Sequence, residues 1–353
     1  MSKSVYRIID ANFNRAREAG RVIEEYCRFA LNSAPLTERT KQLRHDLSAC
    51  LQQFDTSRLI TSRDSVGDVG IGQTVARQLI RSDLKDCFTA GCKRLTEALR
   101  VLAEMAQTIN PSTADAFEKL RFSAYTLEKD IVLFSDTSEK FKAVKLYVII
   151  SCGAGNLPAD ILSLTGCCIA GGADCIQLRA KDINDTQLFI LASEFVRICK
   201  AAGVLSIIND RVDIAVAAGA DGVHLGQDDL PIEQARKLQM TPLIIGKSTH
   251  SSEQLRAAVG ELAAYVSLGP VFSTPTKPGA QPVGLDYVRQ AIEILEDTGI
   301  GHVAVGGITL KNIGQVLDAG VKTIAVCSAV TGAADPADAC RALKKKITSF
   351  SKE

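Results

Sequence analysis

VLSIINDRVDIAVAAGADGVHLGQDD, residues 204–229, decides the fold. An apolar run (204–209) ends in Asn209-Asp210, a short helix-like segment follows, and a second apolar run, DGVHL (221–225), ends in Gly226-Gln227-Asp228-Asp229. Strands that are apolar nearly throughout are covered on both faces, as in a parallel sheet flanked by helices. The same grammar recurs on either side, in KLYVIIS (145–151), DCIQLR (174–179), LIIGKS (243–248), AYVSLG (264–269), HVAVGG (302–307) and TIAVCS (323–328). Eight strand–helix units count to an α/β fold of the (β/α)8 TIM-barrel type. The competing architecture, a doubly wound sheet, lacks its phosphate fingerprint. Gly153-Ala154-Gly155 after the first strand has neither the third glycine nor its spacing.

Upstream the period changes. Residues 1 to about 135 carry apolar residues at helical spacing, with helices expected over Arg7–Leu31, Thr37–Phe54 (capped by Thr37, with Pro35 just ahead), Thr74–Ile109 and Ala114–Leu133. The region contains an internal repeat. NRAREAGRVIEE (14–25) and KRLTEALRVLAE (93–104) share six of twelve residues at an offset of 79, namely Arg15/Arg94, Glu18/Glu97, Ala19/Ala98, Arg21/Arg100, Val22/Val101 and Glu25/Glu104. Gln42-Leu43-Arg44 is echoed by Lys119-Leu120-Arg121 at an offset of 77. The reading is an all-α bundle, a duplicated helical hairpin with pseudo-two-fold symmetry. The halves are joined by a long segment, 55–73, holding Arg58, Arg63, Asp64, Asp68 and Gly67, Gly70 and Gly72; loops of this length are often functional. FSDTSEKFKAV (134–144), polar and charged, reads as a linker, dividing the chain into a helical domain, 1–138, and a barrel domain, 143–353.

Composition excludes several classes. The 353 residues include 41 Lys and Arg against 40 Asp and Glu, so no bulk field draws the chain to nucleic acid or to an anionic membrane. No apolar run approaches the roughly 20 residues of a membrane span. MSKSVYRIIDANFNR (1–15) has no apolar signal core, and eleven scattered cysteines without a CxxC pair fit a reducing, cytoplasmic setting. Nothing in the sequence opposes a homo-oligomer.

In a barrel of this kind the strand C-terminal ends form the active face. Strand 2 delivers Gln177, Arg179 and Lys181 on one side, two cations and a neutral donor suited to a polyanion such as diphosphate. Asp210 after strand 3 and Asp229 after strand 4 form a carboxylate pair with cationic neighbours, the donor set of a Mg²⁺ site. Strand 5 adds Ser248, and the loop after strand 6 adds Thr274, Thr276 and Lys277. Gly306-Gly307 and Cys327-Ser328, after strands 7 and 8, are placed as the phosphate cradle of the fold. Two anionic sites result, a metal-bridged diphosphate and a separate monophosphate. His224 reads as a hydrogen-bonded structural histidine rather than a base, and Asp213 as a cap or solvent-facing residue.

QLRAK, IIND, DGVHLGQDD, IGKSTHS, SLGPVFSTPTK, VAVGGI and VCSA, in this order over about 145–350, closely resemble the thiamine-phosphate synthase family. The resemblance implies a transferase. It joins 4-amino-2-methyl-5-(diphosphooxymethyl)pyrimidine to a thiazole phosphate, or its carboxylated form, and releases diphosphate. Carried over, Gln177, Arg179, Lys181, Asn209, Ser248 and Lys277 contact the pyrimidine diphosphate, with Arg179, Lys181, Lys277 and Ser248 as the catalytic group. Asp210 and Asp229 hold Mg²⁺. Thr274, Thr276, Gly307, Cys327 and Ser328 take the thiazole phosphate. Two positions depart from the family pattern. Ala180 stands where Glu is usual, and Cys327 where Ile or Val is usual.

NFNRAREAGRVIEEYCRF, LRHDL and RDSVGDVG, over about 4–130, resemble a helical module fused to some family members and assigned as a hydroxymethylpyrimidine-phosphate kinase. That resemblance implies ATP as a further ligand, although no Walker A loop is present. The rival readings are a barrel that isomerises the thiazole carboxylate phosphate, a regulatory binding protein on the same barrel, and, for the helices, a scaffold held by Arg–Glu pairs.

Overall fold

The computed structural model describes residues 3–73, 80–153, 155–274, 279 and 281–350. The chain forms two compact units, one up to Val132 and one from Leu133. Among the described residues no helix is long and apolar enough to cross a membrane.

The first unit is built on α1 (Lys3–Glu25), α2 (Ala34–Leu51), a short α3 (Thr56–Thr61), α4 (Leu84–Gln107) and the start of α5 (Pro111–Lys142). The buried stripe of α1 is Ile9, Phe13, Ala16 and Ile23, and that of α4 is Phe88, Cys92, Leu95, Leu99 and Leu102. Both follow the i, i+3, i+4 spacing of an amphipathic helix. Gly91 of α4 faces α1, with Val22 and Ile23 3.4 and 3.5 Å from where its Cβ would stand, an ordinary packing distance.

Several boundaries differ from the sequence expectation, each for a local reason. The first helix ends at Glu25 and passes into a π-helical turn, Tyr26–Ala30. Pro35 lies inside the first turn of α2 rather than ahead of it, where its missing N–H is no loss. Asp83 caps α4 by accepting the Asp86 N–H at 2.8 Å, so that helix starts ten residues after the expected Thr74. Residues 74–79 lie outside the described residues.

The 55–73 segment opens with α3, capped by Asp55, which accepts the N–H groups of Ser57 and Arg58. Arg63 grips Asp10 of α1 with a two-pronged bond at 2.7 and 2.8 Å, and Arg7 donates to the Asp64 carbonyl at 2.7 Å. The segment is therefore docked on the first half of α1, while Arg21 lies about three helical turns beyond Asp10.

The second unit is a closed barrel of eight parallel strands, each hydrogen-bonded to the next. They are β1 (Leu146–Cys152), β2 (Cys175–Ala180), β3 (Leu205–Asn209), β4 (Gly222–Leu225), β5 (Ile244–Thr249), β6 (Tyr265–Leu268), β7 (Gly301–Ala304) and β8 (Ile324–Val326). β1 closes on β8 with Leu146 opposite Ile324. Aspartates clip the strand starts. Asp174 accepts the N–H groups of Lys145 and Leu146, and Asp221 accepts both the N–H and the hydroxyl of Ser206.

The stretch expected as a linker is helix as far as Lys142. Its polar composition hides an apolar stripe, Phe134 and Phe141 seven residues apart, both buried. Phe141 enters the core cluster at the barrel floor with Val144, Tyr147, Cys175, Ile207 and Tyr265. Its ring stacks on Tyr265 at a centroid separation of 3.9 Å and an interplanar angle of 3°. Such stacking adds about 0.5–1.5 kcal/mol to the burial of the ring. Replacing Phe141 by Ala is expected to lower the unfolding free energy by about 3–5 kcal/mol. Urea titration of the full chain measures it, and a loss below about 1 kcal/mol would contradict a plugged floor.

Candidate active site

The strand C-terminal ends enclose a pocket of about 300 Å³. From β2, Gln177 and Arg179 line it. Gln177 is buried and donates from Nε2 to Asn209 Oδ1 at 2.9 Å, tying the ends of β2 and β3 together. Arg179 donates from Nη1 to Ser151 Oγ at 3.0 Å, and Ser151 is its register partner on β1. Lys181 is exposed and stands at the rim, where its charge acts on Asp210.

Asp210 has left-handed backbone (φ 63°), which Asp tolerates better than most residues, and its N–H donates to the His224 carbonyl at 2.8 Å. Its carboxyl group faces that of Asp229. Burial, then the facing carboxylate, push Asp210 up to about 6, against the opposing pull of Lys181 and Arg179. Asp229 is held by the Gly226 N–H, which donates to it at 2.6 Å. Among the described residues no group of three or more His, Cys, Asp or Glu side chains is placed to hold a metal ion.

Ser248 lines the pocket at the end of β5. Its hydroxyl hydrogen-bonds with His224 Nε2 at 3.0 Å, and His224 Nδ1 with the Tyr265 hydroxyl at 3.0 Å, which in turn meets the Tyr147 hydroxyl at 3.0 Å. Both ring nitrogens of His224 are thus occupied, and the histidine is a structural link rather than a free base. Asp213, as expected, stays at the surface, paired with Arg211 at 2.6 Å.

Across the ring, Thr274, Gly307, Cys327 and Ser328 line the same pocket. Gly306 (φ 106°) and Gly307 (φ 63°) both need left-handed backbone. A Cβ on Gly306 would meet Pro270 at 2.5 Å, and one on Gly307 the Ser273 carbonyl at 2.5 Å. Asn312 pins this turn by donating to the Gly307 carbonyl at 2.9 Å. Cys327 is half-buried, and Ser328 opens a short helix, Ser328–Thr331. Thr276 and Lys277 lie outside the described residues.

Sequence reasoning missed Ser151, the hydrogen-bonded tyrosines and His250. Ser151 carries no compositional signal, and only the β1–β2 register brings it to Arg179. His250 lines the pocket and donates from Nδ1 to the Gly269 carbonyl, which fixes its tautomer.

Known proteins match both units. The family model described as thiamine monophosphate synthase matches residues 146–330, and that described as the ThiD2 family matches 7–130. The thiamine-phosphate synthase of Synechocystis sp. is 37% identical over 345 residues, covering 98% of this chain and 97% of the relative. That of Rhodopirellula baltica is 39% identical, covering 96% of this chain and 90% of its own. Among solved structures, the thiamine phosphate pyrophosphorylase of Pyrococcus furiosus superposes with a TM-score of 0.53 at 34% identity, over 60% of this chain and 98% of that one. A barrel with this pocket, matched over nearly the full length by such relatives, belongs to the thiamine-phosphate synthase family of transferases.

Proposed function

We propose that the pocket joins an aminopyrimidine bearing a methylene diphosphate to a thiazole phosphate. In this reading Gln177, Arg179, Lys181, Asn209, Ser248 and Lys277 serve the first substrate, and Thr274, Thr276, Gly307, Cys327 and Ser328 the second. The observation that carries it is one pocket with two chemically distinct sides. Arg179 and the Asp210–Asp229 pair stand at the β2–β4 ends, and glycine-lined backbone stands at the β7–β8 ends.

The carbon–oxygen bond to diphosphate breaks with its electron pair leaving on the phosphate oxygen. The exocyclic amine of the pyrimidine delocalises the methylene cation, and the thiazole nitrogen lone pair forms the new carbon–nitrogen bond. Arg179 and Lys181 offset the charge that develops on diphosphate. No protein base is needed for bond formation, consistent with a His224 whose nitrogens are both engaged.

The carboxylate pair fits Mg²⁺, which takes one or two carboxylates and leaves its other positions to water and substrate phosphate. Burial and the facing Asp229 carboxylate push the Asp210 carboxyl up, an effect that a divalent cation between the two would oppose. When bound, the ion would supply further charge stabilisation to the leaving diphosphate. Eleven free thiols support a cytoplasmic setting.

For the helical unit, we propose ATP-dependent phosphorylation of the pyrimidine monophosphate, which would furnish the barrel's substrate. The 7–130 match and the duplicated Arg/Glu positions support it. A specific observation favours the scaffold reading instead. Arg21 pairs with Glu24 at 3.3 Å and Glu25 at 2.8 Å, and Arg100 with Glu104 at 2.5 Å and Glu118 at 3.7 Å.

Three outcomes are expected. Asp210→Asn and Asp229→Asn each reduce synthase turnover at least about 100-fold, equivalent to some 2.7 kcal/mol of transition-state stabilisation, while the barrel stays folded. Steady-state rates across a Mg²⁺ titration, with circular dichroism alongside, measure this; undiminished activity in EDTA would remove the metal assignment. Lys181→Ala weakens binding of the pyrimidine diphosphate about 10- to 100-fold and spares the thiazole phosphate, whereas Ser328→Ala does the reverse. Calorimetry with each ligand reads the difference, and equal losses would show that the two sides are misassigned. Finally, the full chain given ATP, pyrimidine monophosphate and thiazole phosphate is expected to form thiamine phosphate. If it accepts only preformed diphosphate, the kinase reading fails and the scaffold reading stands.

A further inference from the structure

We propose that Lys247 is a positioning residue for the carboxylate pair, holding Asp229 in place through the backbone of Gly226; the metal role of that pair rests on the reading of the preceding subsection. Lys247 lies on β5 between Gly246 and Ser248. Both neighbours face the barrel interior. Ser248 lines the pocket, and a Cβ on Gly246 would meet the Tyr265 ring at 2.1 Å. Alternation along the strand therefore turns Lys247 outward, toward the helix layer. There it is buried, only 8% exposed. It forms no ion pair among the described residues, and its Nζ donates to the Gly226 carbonyl at 2.7 Å.

Lysine is among the side chains least often buried, and a charge out of water is costly unless it is met. Replacing buried ionic groups by apolar side chains of similar volume is often neutral or stabilising. Strand packing alone thus gives no reason for an ammonium at this position. What the ammonium grips does.

Gly226 is the corner that carries the carboxylate. Its N–H donates to Asp229 Oδ2 at 2.6 Å, while its carbonyl accepts from Lys247. The two bonds fall on the peptide planes either side of one α-carbon, and they fix a residue with little conformational preference of its own. The close approach requires glycine, because a Cβ there would stand 3.0 Å from Asp229 Oδ2. Gln227 adds a second strap, donating from Nε2 to the Ser248 carbonyl. The corner after β4 is thus sewn to two successive residues of β5, and of the two donors only Lys247 carries a charge. A charge-assisted bond is roughly twice as strong as a neutral one. Without it the half-buried Gly226 can turn its carbonyl to water, and the N–H that holds Asp229 is no longer fixed.

The experiment uses the full chain. It follows urea unfolding, amide exchange of Gly226 in EDTA by fragment-level mass spectrometry, and Mn²⁺ affinity by electron paramagnetic resonance, with Mn²⁺ standing in for Mg²⁺. Lys247→Met keeps the length of the side chain and removes the charge. It is expected to unfold at a urea concentration no lower than the wild-type chain, to exchange Gly226 about tenfold faster and to bind Mn²⁺ about tenfold more weakly. Thr249→Val is the packing control on the same strand. It removes a buried hydroxyl that donates to the Ser267 carbonyl at 3.0 Å and accepts from Tyr287 at 2.8 Å. That change should lower the urea midpoint and leave Gly226 exchange and Mn²⁺ affinity as they were. Unaccelerated Gly226 exchange in Lys247→Met, an equal loss of Mn²⁺ affinity in Thr249→Val, or a Lys247→Met chain that fails to fold would each overturn the proposal, the last by making the lysine a packing residue. The metal reading fails differently. If Asp229→Asn leaves Mn²⁺ affinity unchanged, the metal assignment falls, and the metal-free exchange of Gly226 alone decides whether Lys247 holds the carboxylate.

Discussion

All eight strands run in one direction and close on themselves, and that closure decides where chemistry can occur. With β1 hydrogen-bonded to β8, no edge remains, and every C-terminal end opens on the same rim. Ser151 and Ser328, far apart in the chain, come to one pocket region for this reason. The interior is layered along the barrel axis. At the floor, Phe141, Tyr147 and Tyr265 fill the cylinder. Above them His224 carries a hydrogen-bond chain from the tyrosine hydroxyls to Ser248. At the rim stand Arg179 and Asp210. Buried polar groups are costly unless paired, and this chain pairs each member while passing from an apolar base to a charged mouth.

The strands were legible because each is a local signal. A run buried on both faces needs no knowledge of its neighbours, and the eight runs emerge within about three residues of their observed limits. The pocket-lining positions of Gln177, Arg179, Asn209, Asp210 and Ser248 were legible too, since a polar residue ending such a run has only the rim to face. What stayed hidden depends on contacts distant in sequence. FSDTSEKFKAV looks like a linker because only two of its eleven residues are aromatic, yet those two phenylalanines continue α5 toward the barrel floor. The division into compact units consequently falls at Val132/Leu133 rather than at 138–143. The π turn was equally invisible, as Tyr26–Ala30 has ordinary helical composition. Ser151 needed the β1–β2 register, which no single strand reveals.

Asp210 shows how the barrel concentrates electrostatic tension. Two facing carboxyl groups repel when both are ionised, and burial sharpens the repulsion. Stability alone would favour separating them. Instead left-handed backbone at Asp210 and the Gly226 N–H at Asp229 hold them together, with Arg179 and Lys181 near enough to oppose the effect. The raised Asp210 carboxyl is the cost of that arrangement.

The helical unit solves a related problem twice, by different means. In the first copy Arg21 of α1 and Arg44 of α2 converge on Glu24, whose side chain is only 1% exposed. The repeat places Ala103 where a second Glu24 would stand, so that carboxylate is missing from α4. Arg100 and Arg121, the counterparts of the two arginines, converge on Glu118 of α5 instead. Each copy therefore joins two arginines to one carboxylate, but the carboxylate has moved to another helix. Retaining that triad while changing its source indicates that the arginine positions are the constrained element and that the acid adapts to them. The buried version also demands more of its surroundings, because an ion pair out of water tolerates little misplacement. It holds the end of α1 two residues before the π-helical segment, a turn that the second copy lacks.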